Sequence, residues 1–331
     1  FAGLVVSGCA TFSPDGGLSD VNAIAKAEIN ADVQKITSPD EAGNSARRVK
    51  VLLGKSLSAD NAVRLALLNN RGLQAALNEL GIAEAQMVAA SLPPNPRFSL
   101  TRTTAAGALE IERQIAGSLF ALATLPARQE IAGDKFRVAQ FKAAEAIFKL
   151  AADTRRQYYR AIAANHQVAI LQQAKASAAA SSELLKRLGE SGAVNKLNQS
   201  REFAFYTELG VQLGQARLQQ KIEREKLTRL LGLWGKDIDF RIPGALPALP
   251  RLQPAKAIEA EALRKRIDLQ IALADLSALA KSYGLTEATQ FVSDIDLLAR
   301  STRDRSIVTD AATGAQQKEV TYRRTFEIEI E

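Results

Sequence analysis

The chain contains one cysteine, one histidine, one methionine and one tryptophan among its 331 residues. A lone cysteine excludes an internal disulfide, and with a single histidine the sequence has no Cys/His cluster of the kind that binds zinc. Phosphate loops, glycine-rich dinucleotide turns and serine-nucleophile elbows are also missing. We therefore expect neither an enzyme nor a bound cofactor or metal.

Proline and aromatic residues are scarce, at 10 prolines and 5% aromatics, whereas 47% of the chain is hydrophobic and rich in Ala and Leu. This composition predicts a mainly α-helical protein. No run reaches the ~18 consecutive apolar residues of a membrane-spanning helix, so any crossing would have to be made by strands. The net charge is +7, but basic and acidic residues alternate along the predicted helices, and we expect no nucleic-acid partner.

The first residues resemble the end of a bacterial lipoprotein signal peptide. An apolar stretch leads into Ser7-Gly8-Cys9-Ala10, where small residues precede the cysteine. In such a lipobox the cysteine is acylated and becomes the mature N-terminus, so we expect residues 1–9 to end the signal peptide and Cys9 to carry the lipid. The alternative is a chance cysteine in a buried apolar segment. Residues 10–55 are a mixed lead-in with weak helical character near Val21 to Val33.

The clearest pattern in the chain is an internal repeat. Leu73-Gln74-Ala75-Ala76-Leu77 returns as Leu269-Gln270-Ile271-Ala272-Leu273, and Leu109-Glu110-Ile111-Glu112 returns as Phe326-Glu327-Ile328-Glu329. We predict a first repeat over 56–242, a proline-rich linker over 243–256 and a partial second repeat over 257–331. In the first copy the strands are followed by a long helical hairpin, so we expect the second copy to be truncated before its own hairpin.

Each repeat is predicted to begin with a helix and continue into two strands. In the first, a helix starts after Ser58, a plausible N-cap, and ends before the prolines that follow Leu92. Alternating residues at 98–103 and 109–115 predict two strands within 97–117, joined at Ala106-Gly107. In the second repeat, the longer segment Ser301 to Arg324 is expected to be a loop, with Asp310 and Gly314 marking its turn.

The longest predicted element is a helical hairpin over 126–232. From Pro126 to Leu188 no proline interrupts a helix of ~63 residues, which would extend ~95 Å. Gly189-Glu190-Ser191-Gly192 breaks it, and a second helix runs from about Val194 to Leu231. The long helix carries two heptad seams, as in a closed cylinder of helices or a larger bundle. The first seam is Val138, Phe141, Glu145, Phe148, Ala152, Arg155, Tyr159, Ile162, His166 and Ala169; the second is Ala143, Ile147, Leu150, Thr154, Ala161, Ala164, Val168 and Leu171.

These features together resemble the TolC family of outer membrane factors over about residues 55–331. The resemblance rests on the lipobox, Leu57-Ser58-Ala59-Asp60-Asn61-Ala62, Asn69-Asn70-Arg71, Leu92-Pro93-Pro94-Asn95-Pro96, Val194-Asn195-Lys196-Leu197-Asn198, Leu230-Leu231-Gly232-Leu233 and Arg266-Ile267-Asp268-Leu269, in this order and duplicated. Many family members carry Phe-Asp-x-Gly after the strands, where this chain has Leu122 to Arg128. The chain thus resembles a divergent branch, and its substrate stays open.

The resemblance implies a fold and a function. Long helical hairpins would form a periplasmic α-barrel, and three protomers would each give four strands to one transmembrane β-barrel in the outer membrane. Within a tripartite pump, an inner membrane transporter supplies the energy, a periplasmic adaptor bridges, and this homotrimer is the passive exit duct for drugs, metal ions, solvents or proteins. The segment from Ser301 to Arg324 would be an extracellular loop. Five residues match the hairpin tip that contacts the adaptor and helps gate the tunnel: Gly189, Ser191, Gly192, Val194 and Asn195.

Two other classes of protein share some of these features. A periplasmic adaptor or another coiled-coil lipoprotein would also carry a lipobox and a long hairpin, but it would not need two copies of a helix and strand unit. For an enzyme, the candidate base is His166, which lies on the first seam and is expected to pack or line a tunnel. The tip residues have an alternative interpretation as an ordinary solvated helix turn.

Overall fold

The computed structural model describes residues 11–105, 108–249, 258–292, 294–309 and 316–330. The lipobox with Cys9, the Ala106-Gly107 turn, much of the linker, and the predicted turn residues Asp310 and Gly314 lie outside these ranges. The helices are α1 Leu18–Ile29, α2 Pro39–Leu53, α3 Ala59–Asn69, α4 Arg71–Ser91, α5 Leu119–Ala123, α6 Leu125–Glu190, α7 Lys196–Leu230, α8 Ile258–Lys265 and α9 Ile267–Ala288. The strands are β1 Arg97–Ala105, β2 Ala108–Ser118, β3 Ile295–Thr309 and β4 Gln316–Ile330.

One order of elements occurs twice along the chain. Two helices followed by two strands occur first as α3-α4-β1-β2 and again as α8-α9-β3-β4. In both copies the helices are separated by a single residue, Asn70 in the first and Arg266 in the second. The fold is mainly α-helical with two pairs of strands, as the composition predicts.

Local sequence signals explain several of the helix ends. Ser58 caps α3, and its hydroxyl accepts a hydrogen bond from the Asn61 amide. α4 stops at Ser91, just before Leu92 and the prolines. Pro126 lies in the first turn of α6, where its missing amide proton leaves no intrahelical bond unmade. The helix α6 contains 66 residues and is uninterrupted.

Two predictions about local structure were wrong, and one helix was not predicted. The expected single helix from Ser58 to Leu92 is broken at Asn70, which has an extended backbone because its side chain caps α4. The helix that was not predicted is α2 in the lead-in, where a capping box pairs Ser38 with Glu41. Most of the expected loop from Ser301 to Arg324 is strand: β3 continues to Thr309 and β4 begins at Gln316, and their paired backbone groups satisfy each other.

The four strands form one antiparallel sheet in the order β1-β2-β3-β4. Each repeat supplies a hairpin, and β2 of the first pairs with β3 of the second, from Leu109 opposite Arg305 to Ser118 opposite Asp296. Ser118 also caps α5 and donates a hydrogen bond of 2.9 Å to Asp294, at the start of β3. The two hairpins are therefore joined at the helical end of the sheet as well as along their backbones.

The chain divides into two compact units, each built from both repeats. The sheet unit comprises Phe1–Gly17, Leu80–Gln140 and Asp268–Glu331, and the hairpin unit comprises Leu18–Glu79 and Phe141–Ile267. The largest core of the hairpin unit gathers α2, α3, α6 and α7 around Leu65, Ile162 and Leu227, each fully buried. In the part of the chain that the structure describes, no helix is both long and apolar enough to cross a membrane.

Candidate functional site

The end of α6 forms a left-handed glycine cap at the predicted tip. Gly192 has a φ of 80°, and its amide donates to the Gly189 carbonyl at 3.1 Å, while the Ala193 amide donates to the Leu188 carbonyl at 2.9 Å. These two bonds define a Schellman motif, which glycine favours because a Cβ disfavours this backbone conformation. The Ser191 hydroxyl donates to the Leu188 carbonyl at 2.9 Å, so the last carbonyls of the helix are satisfied within the turn.

The start of α7 completes the tip. Asn195 is the N-cap, and its side-chain oxygen accepts a 2.9 Å hydrogen bond from the Asn198 amide. The Val194 carbonyl accepts a bond from the Gln199 side chain. The same Gln199 side chain lies so close to Gly189 that a Cβ there would fall 1.8 Å from its amide nitrogen. The structure thus brings the five predicted tip residues together in one turn.

The tip carries exposed apolar side chains on both of its helices. Leu184 is 58% exposed and Leu197 is 57% exposed, and further along α7 both Phe203 and Phe205 are exposed. Apolar side chains grouped on a helix end are typical of a surface that another helix covers.

The two seams of α6 differ in burial. Ala143, Ile147, Thr154, Ala161, Val168 and Leu171 of the second seam are buried, whereas Glu145, Ala152, Arg155, Tyr159, His166 and Ala169 of the first seam are exposed. Within the hairpin unit, Val168 and Leu171 pack against Leu209 and Leu213 of α7. The second seam is therefore covered within the chain, and much of the first, including His166, is left uncovered.

A buried carboxylate lies between the arms of the hairpin. Glu223 on α7 accepts a hydrogen bond from the Gln157 side chain on α6 at 2.5 Å and pairs with Lys226 at 2.9 Å. These bonds, that from Gln157 most strongly, hold the pKa of Glu223 below the usual range of a glutamate. The charge is thereby retained inside the hairpin, where an unpaired carboxylate would be costly.

Two asparagines of the Asn69-Asn70-Arg71 motif hold the base of the hairpin by hydrogen bonds. The Asn69 side chain donates to the carbonyls of Leu231 and Gly232, and the Asn70 side chain donates to that of Leu230. Gly232, with a φ of 67°, is the left-handed cap of α7, and a Cβ there would lie 2.5 Å from the Asn69 carbonyl oxygen. Both the Asn-Asn pair and the Leu-Leu-Gly helix end are visible in the sequence. Their contact could not be predicted because they lie about 160 residues apart in the chain.

A group of charges ties α6 to α9 within the sheet unit. Lys281 lies 2.7 Å from both Glu130 and Asp134, and the Ser277 hydroxyl donates to Asp134 at 3.0 Å. The Lys281 hydrogen bond lowers the pKa of Asp134, and the reciprocal contact raises the pKa of Lys281. Sequence reasoning missed this group because its members are remote in the chain.

The sheet has two unpaired edges in the described part of the chain, because β1 and β4 each have one neighbouring strand. Long unpaired edges expose backbone donors and acceptors that a further strand can satisfy. These edges and the exposed residues of the first seam of α6 are among the surfaces left uncovered in the described part of the chain.

Comparison with known proteins gives similarity of fold but little similarity of sequence. No family model and no curated relative matches the chain. Among solved structures, it is similar to the transmembrane channel protein CusC, with a TM-score of 0.63 and 17% identity over 86% of this chain and 66% of that one. It is also similar to the outer membrane channel CmeC of Campylobacter jejuni, with a TM-score of 0.60 and 16% identity over 92% of this chain and 66% of that one.

A third similar structure is the open state of the outer membrane channel MtrE of Neisseria gonorrhoeae, with a TM-score of 0.56 and 15% identity. That match covers 80% of this chain and 62% of that one. The chain thus spans about two thirds of the length of the CusC and CmeC structures. These neighbours are channel proteins, and the present chain has the fold of the TolC family of outer membrane channels.

Proposed function

We propose that this chain belongs to the outer membrane exit duct of a tripartite efflux or export system, through which small molecules or ions pass passively from the periplasm to the exterior. The observation that carries the proposal is the four-stranded sheet with two unpaired edges. Strands that cross lipid must satisfy every backbone group, so such a sheet needs further copies to close it. A homotrimer would supply both the missing strands and a cover for the first seam of α6.

The sheet also separates its side chains in the manner that a water-filled passage requires. Glu110 and Glu112 lie on one face with Gln114, while Leu109, Ile111 and Ile115 alternate onto the other. The polar face would line the passage, and the face with the apolar residues would contact lipid.

The tip is the proposed contact with a periplasmic adaptor, which would connect the duct to an inner membrane transporter. Gly189, Ser191, Gly192, Val194 and Asn195 form one compact turn flanked by exposed leucines, a shape that could dock between the helices of a partner. Acylation of Cys9 would add a lipid anchor in the outer membrane.

The first experiment is a molar mass measurement by light scattering, in detergent, on the complete protein extracted from isolated outer membranes. We expect the mass of a trimer. A monomer, or absence from the outer membrane, would contradict the proposal and favour a periplasmic adaptor or another coiled-coil lipoprotein.

A second experiment separates the tip from assembly. Deletion of residues 189–195 should abolish export while trimers persist in the outer membrane. Loss of the trimer in this variant would refute the assignment of the tip as an adaptor contact. A Cys9→Ser variant should lose the lipid and is expected to assemble, since the closed sheet would hold the protein in the membrane.

A further inference from the structure

The pleat of the sheet places all the acidic residues of the described strands on one face and leaves only basic charges on the other. Successive residues of a strand point to opposite faces, so the continuous register of the four strands assigns every described strand residue to one face. One face, called the basic face, carries Arg102, Arg113, Arg303, Arg305, Lys318 and Arg324. Among the described strand residues no Asp or Glu lies on it, because Glu110, Glu112, Asp296, Asp304, Glu319, Glu327 and Glu329 all point to the opposite, acidic face.

Three of these cations are close neighbours. Arg113 of β2 and Arg324 of β4 both lie opposite Ser301 of β3, and so flank it from the two sides. Arg303 is two residues further along β3, diagonal to both. With strands about 5 Å apart and an advance of about 7 Å for two residues, the three side chains start within about 10 Å of one another.

Two arginines of the acidic face, Arg97 and Arg300, have carboxylate partners, whereas no arginine of the basic face has one among the described residues. Arg300 pairs with Glu112 at 3.1 Å, and Arg97 approaches Asp296 at 4.0 Å. Arg303 instead lies over the ring of Tyr322, 5.6 Å from its centroid. Within the described ranges, Arg102, Arg113, Arg305 and Arg324 have no carboxylate within 4.0 Å. Like charges on adjacent strands repel, so an external anion would stabilise this group.

The three levels of this face nearest the helices carry no charged residue among the described strand residues, and the basic side chains lie farther along the strands, among apolar ones. Nearest the helices are Ile295 with Ile330, then Leu297 with Ile328, then the row of Phe98, Ile115, Ala299 and Phe326. The next row contains Arg113 and Arg324 together with Leu100, and the basic residues continue from there toward the strand ends farther from the helices, beside Ile111 and Val320. The apolar levels extend over about 14 Å, close to half of the ~30 Å hydrocarbon core of a bilayer. Phe98, Phe326 and Ile330 are among the most exposed residues of the sheet.

We propose that the basic face binds the phosphate groups of a phosphorylated lipid in the bilayer leaflet farther from the helices. Its acyl chains would lie along the apolar levels, and its phosphates would accept hydrogen bonds from Arg113, Arg303 and Arg324. Arginine suits this role because its planar guanidinium binds phosphate oxygens in pairs and its stem can extend along an apolar surface to the headgroup level. The inference rests on the proposed function, since the face meets lipid only if the sheet closes in a membrane.

The test compares two triple variants of the complete protein, purified from outer membranes in a neutral detergent. The first, R113Q/R303Q/R324Q, removes the cluster. The matched control, R97Q/R300Q/R323Q, removes the same charge from the acidic face. These arginines lie on that face because paired residues share a face, and their partners are Ala116, Gln114 and Thr302. Native mass spectrometry and a titration with diphosphorylated lipid A measure binding, with the dephosphorylated lipid as the reference.

We expect the first variant to bind lipid A at least roughly tenfold more weakly than the wild type, because each cation near an anionic lipid surface contributes roughly fivefold to binding and the variant removes three of them. The control should bind as the wild type does. Equal binding by both variants and the wild type, or no preference for the phosphorylated lipid, would overturn the proposal.

Two further readouts separate the possible failures. If inorganic phosphate at millimolar concentration displaced lipid A completely, the face would be a free-anion site and the assignment to lipid would be wrong. If the wild type were absent from the outer membrane or not a trimer, the proposed function would fail whatever the lipid titration showed. Trimer mass in both variants establishes that any loss of lipid binding does not come from misfolding.

Discussion

At the scale of single residues, the hairpin unit depends on buried polar contacts that join distant parts of the chain. Tyr158 on α6 is 4% exposed, and its hydroxyl donates a 2.8 Å hydrogen bond to the Leu57 carbonyl, ahead of α3. Burial raises the pKa of the Tyr158 phenol. The Leu57 amide in turn donates to the Arg241 carbonyl, so one short segment is held from both sides.

Tyr158→Phe should lower the free energy of unfolding by about 1 to 2 kcal/mol, because it leaves the buried Leu57 carbonyl without its donor. Chemical denaturation of the protein in detergent, followed by circular dichroism, measures the loss. The control is Tyr159→Phe, since Tyr159 is 37% exposed on the first seam. Both variants keep the ring, so an equal loss in the two would contradict the assignment of this stability to the hydrogen bond between Tyr158 and Leu57.

The second prediction at the residue scale concerns the pH dependence of stability. Because the folded protein lowers the pKa of Glu223, its charged form adds stability above the ordinary pKa of about 4.3, and this stability is lost as the pH falls through the lowered value. Glu223→Gln should therefore weaken the fall in unfolding temperature below about pH 4. The control is Glu225→Gln, which changes an exposed carboxylate paired with Arg229. If the unfolding temperature of the Glu223 variant fell below pH 4 as steeply as that of the wild type, the prediction would be wrong.

At the scale of the elements, the base of the hairpin is decided by a close approach between α7 and the α3–α4 junction. Gly232 and Gly235 both have positive φ, at 67° and 64°, but only the first lies against another element. A Cβ at Gly232 would meet the backbone of Asn69, whereas one at Gly235 would meet nothing within 4 Å. Comparing substitutions at Gly232 and Gly235 therefore separates the cost of the backbone conformation from the cost of the close packing.

Gly235→Ala should cost about 1 to 2 kcal/mol of stability, the cost of placing an L-residue in the left-handed region. Gly232→Ala should cost clearly more, because Asn69 must also move and its bonds to Leu231 and Gly232 are disturbed. Thermal unfolding of the two variants measures the difference. Similar losses of stability in the two variants would mean that the α3–α4 junction moves to accommodate the added methyl group at little cost.

At the scale of the whole molecule, the acidic face of the sheet would set the charge selectivity of the proposed duct. Acidic residues on that face outnumber its arginines, Arg97, Arg300 and Arg323. A passage lined by carboxylates concentrates cations and repels anions.

The complete protein in planar bilayers should therefore prefer cations, measured as the reversal potential across a KCl gradient. The triple variant E110Q/E112Q/E327Q should shift that potential toward zero, because it neutralises charges on the face proposed to line the passage. The variant R113Q/R303Q/R324Q changes the opposite face and should leave the potential nearly unaltered. The reverse outcome would place the basic face toward the passage.

The sequence alone determined the elements whose signals are local. Proline and glycine mark the ends of α6, Asn195 caps α7, and period-two alternation marks β1 and β2, because each depends on a few consecutive residues. The repeat of the Leu109 to Glu112 pattern at Phe326 to Glu329 predicted a second pair of strands. The break at Asn70 could not be predicted this way, since the helix-forming residues on both sides continue the pattern and the bonds of Asn69 and Asn70 to the end of α7 are long-range.

Only the tertiary structure decided how these elements combine. Two seams on α6 were visible in the sequence, but which one α7 covers depends on the packing of Leu209 and Leu213. Alternation places Glu110 and Arg113 on opposite faces of one strand, but the separation of charge across the whole sheet requires the register of β2 with β3. Registers between distant segments depend on backbone pairing and packing that a linear pattern does not contain.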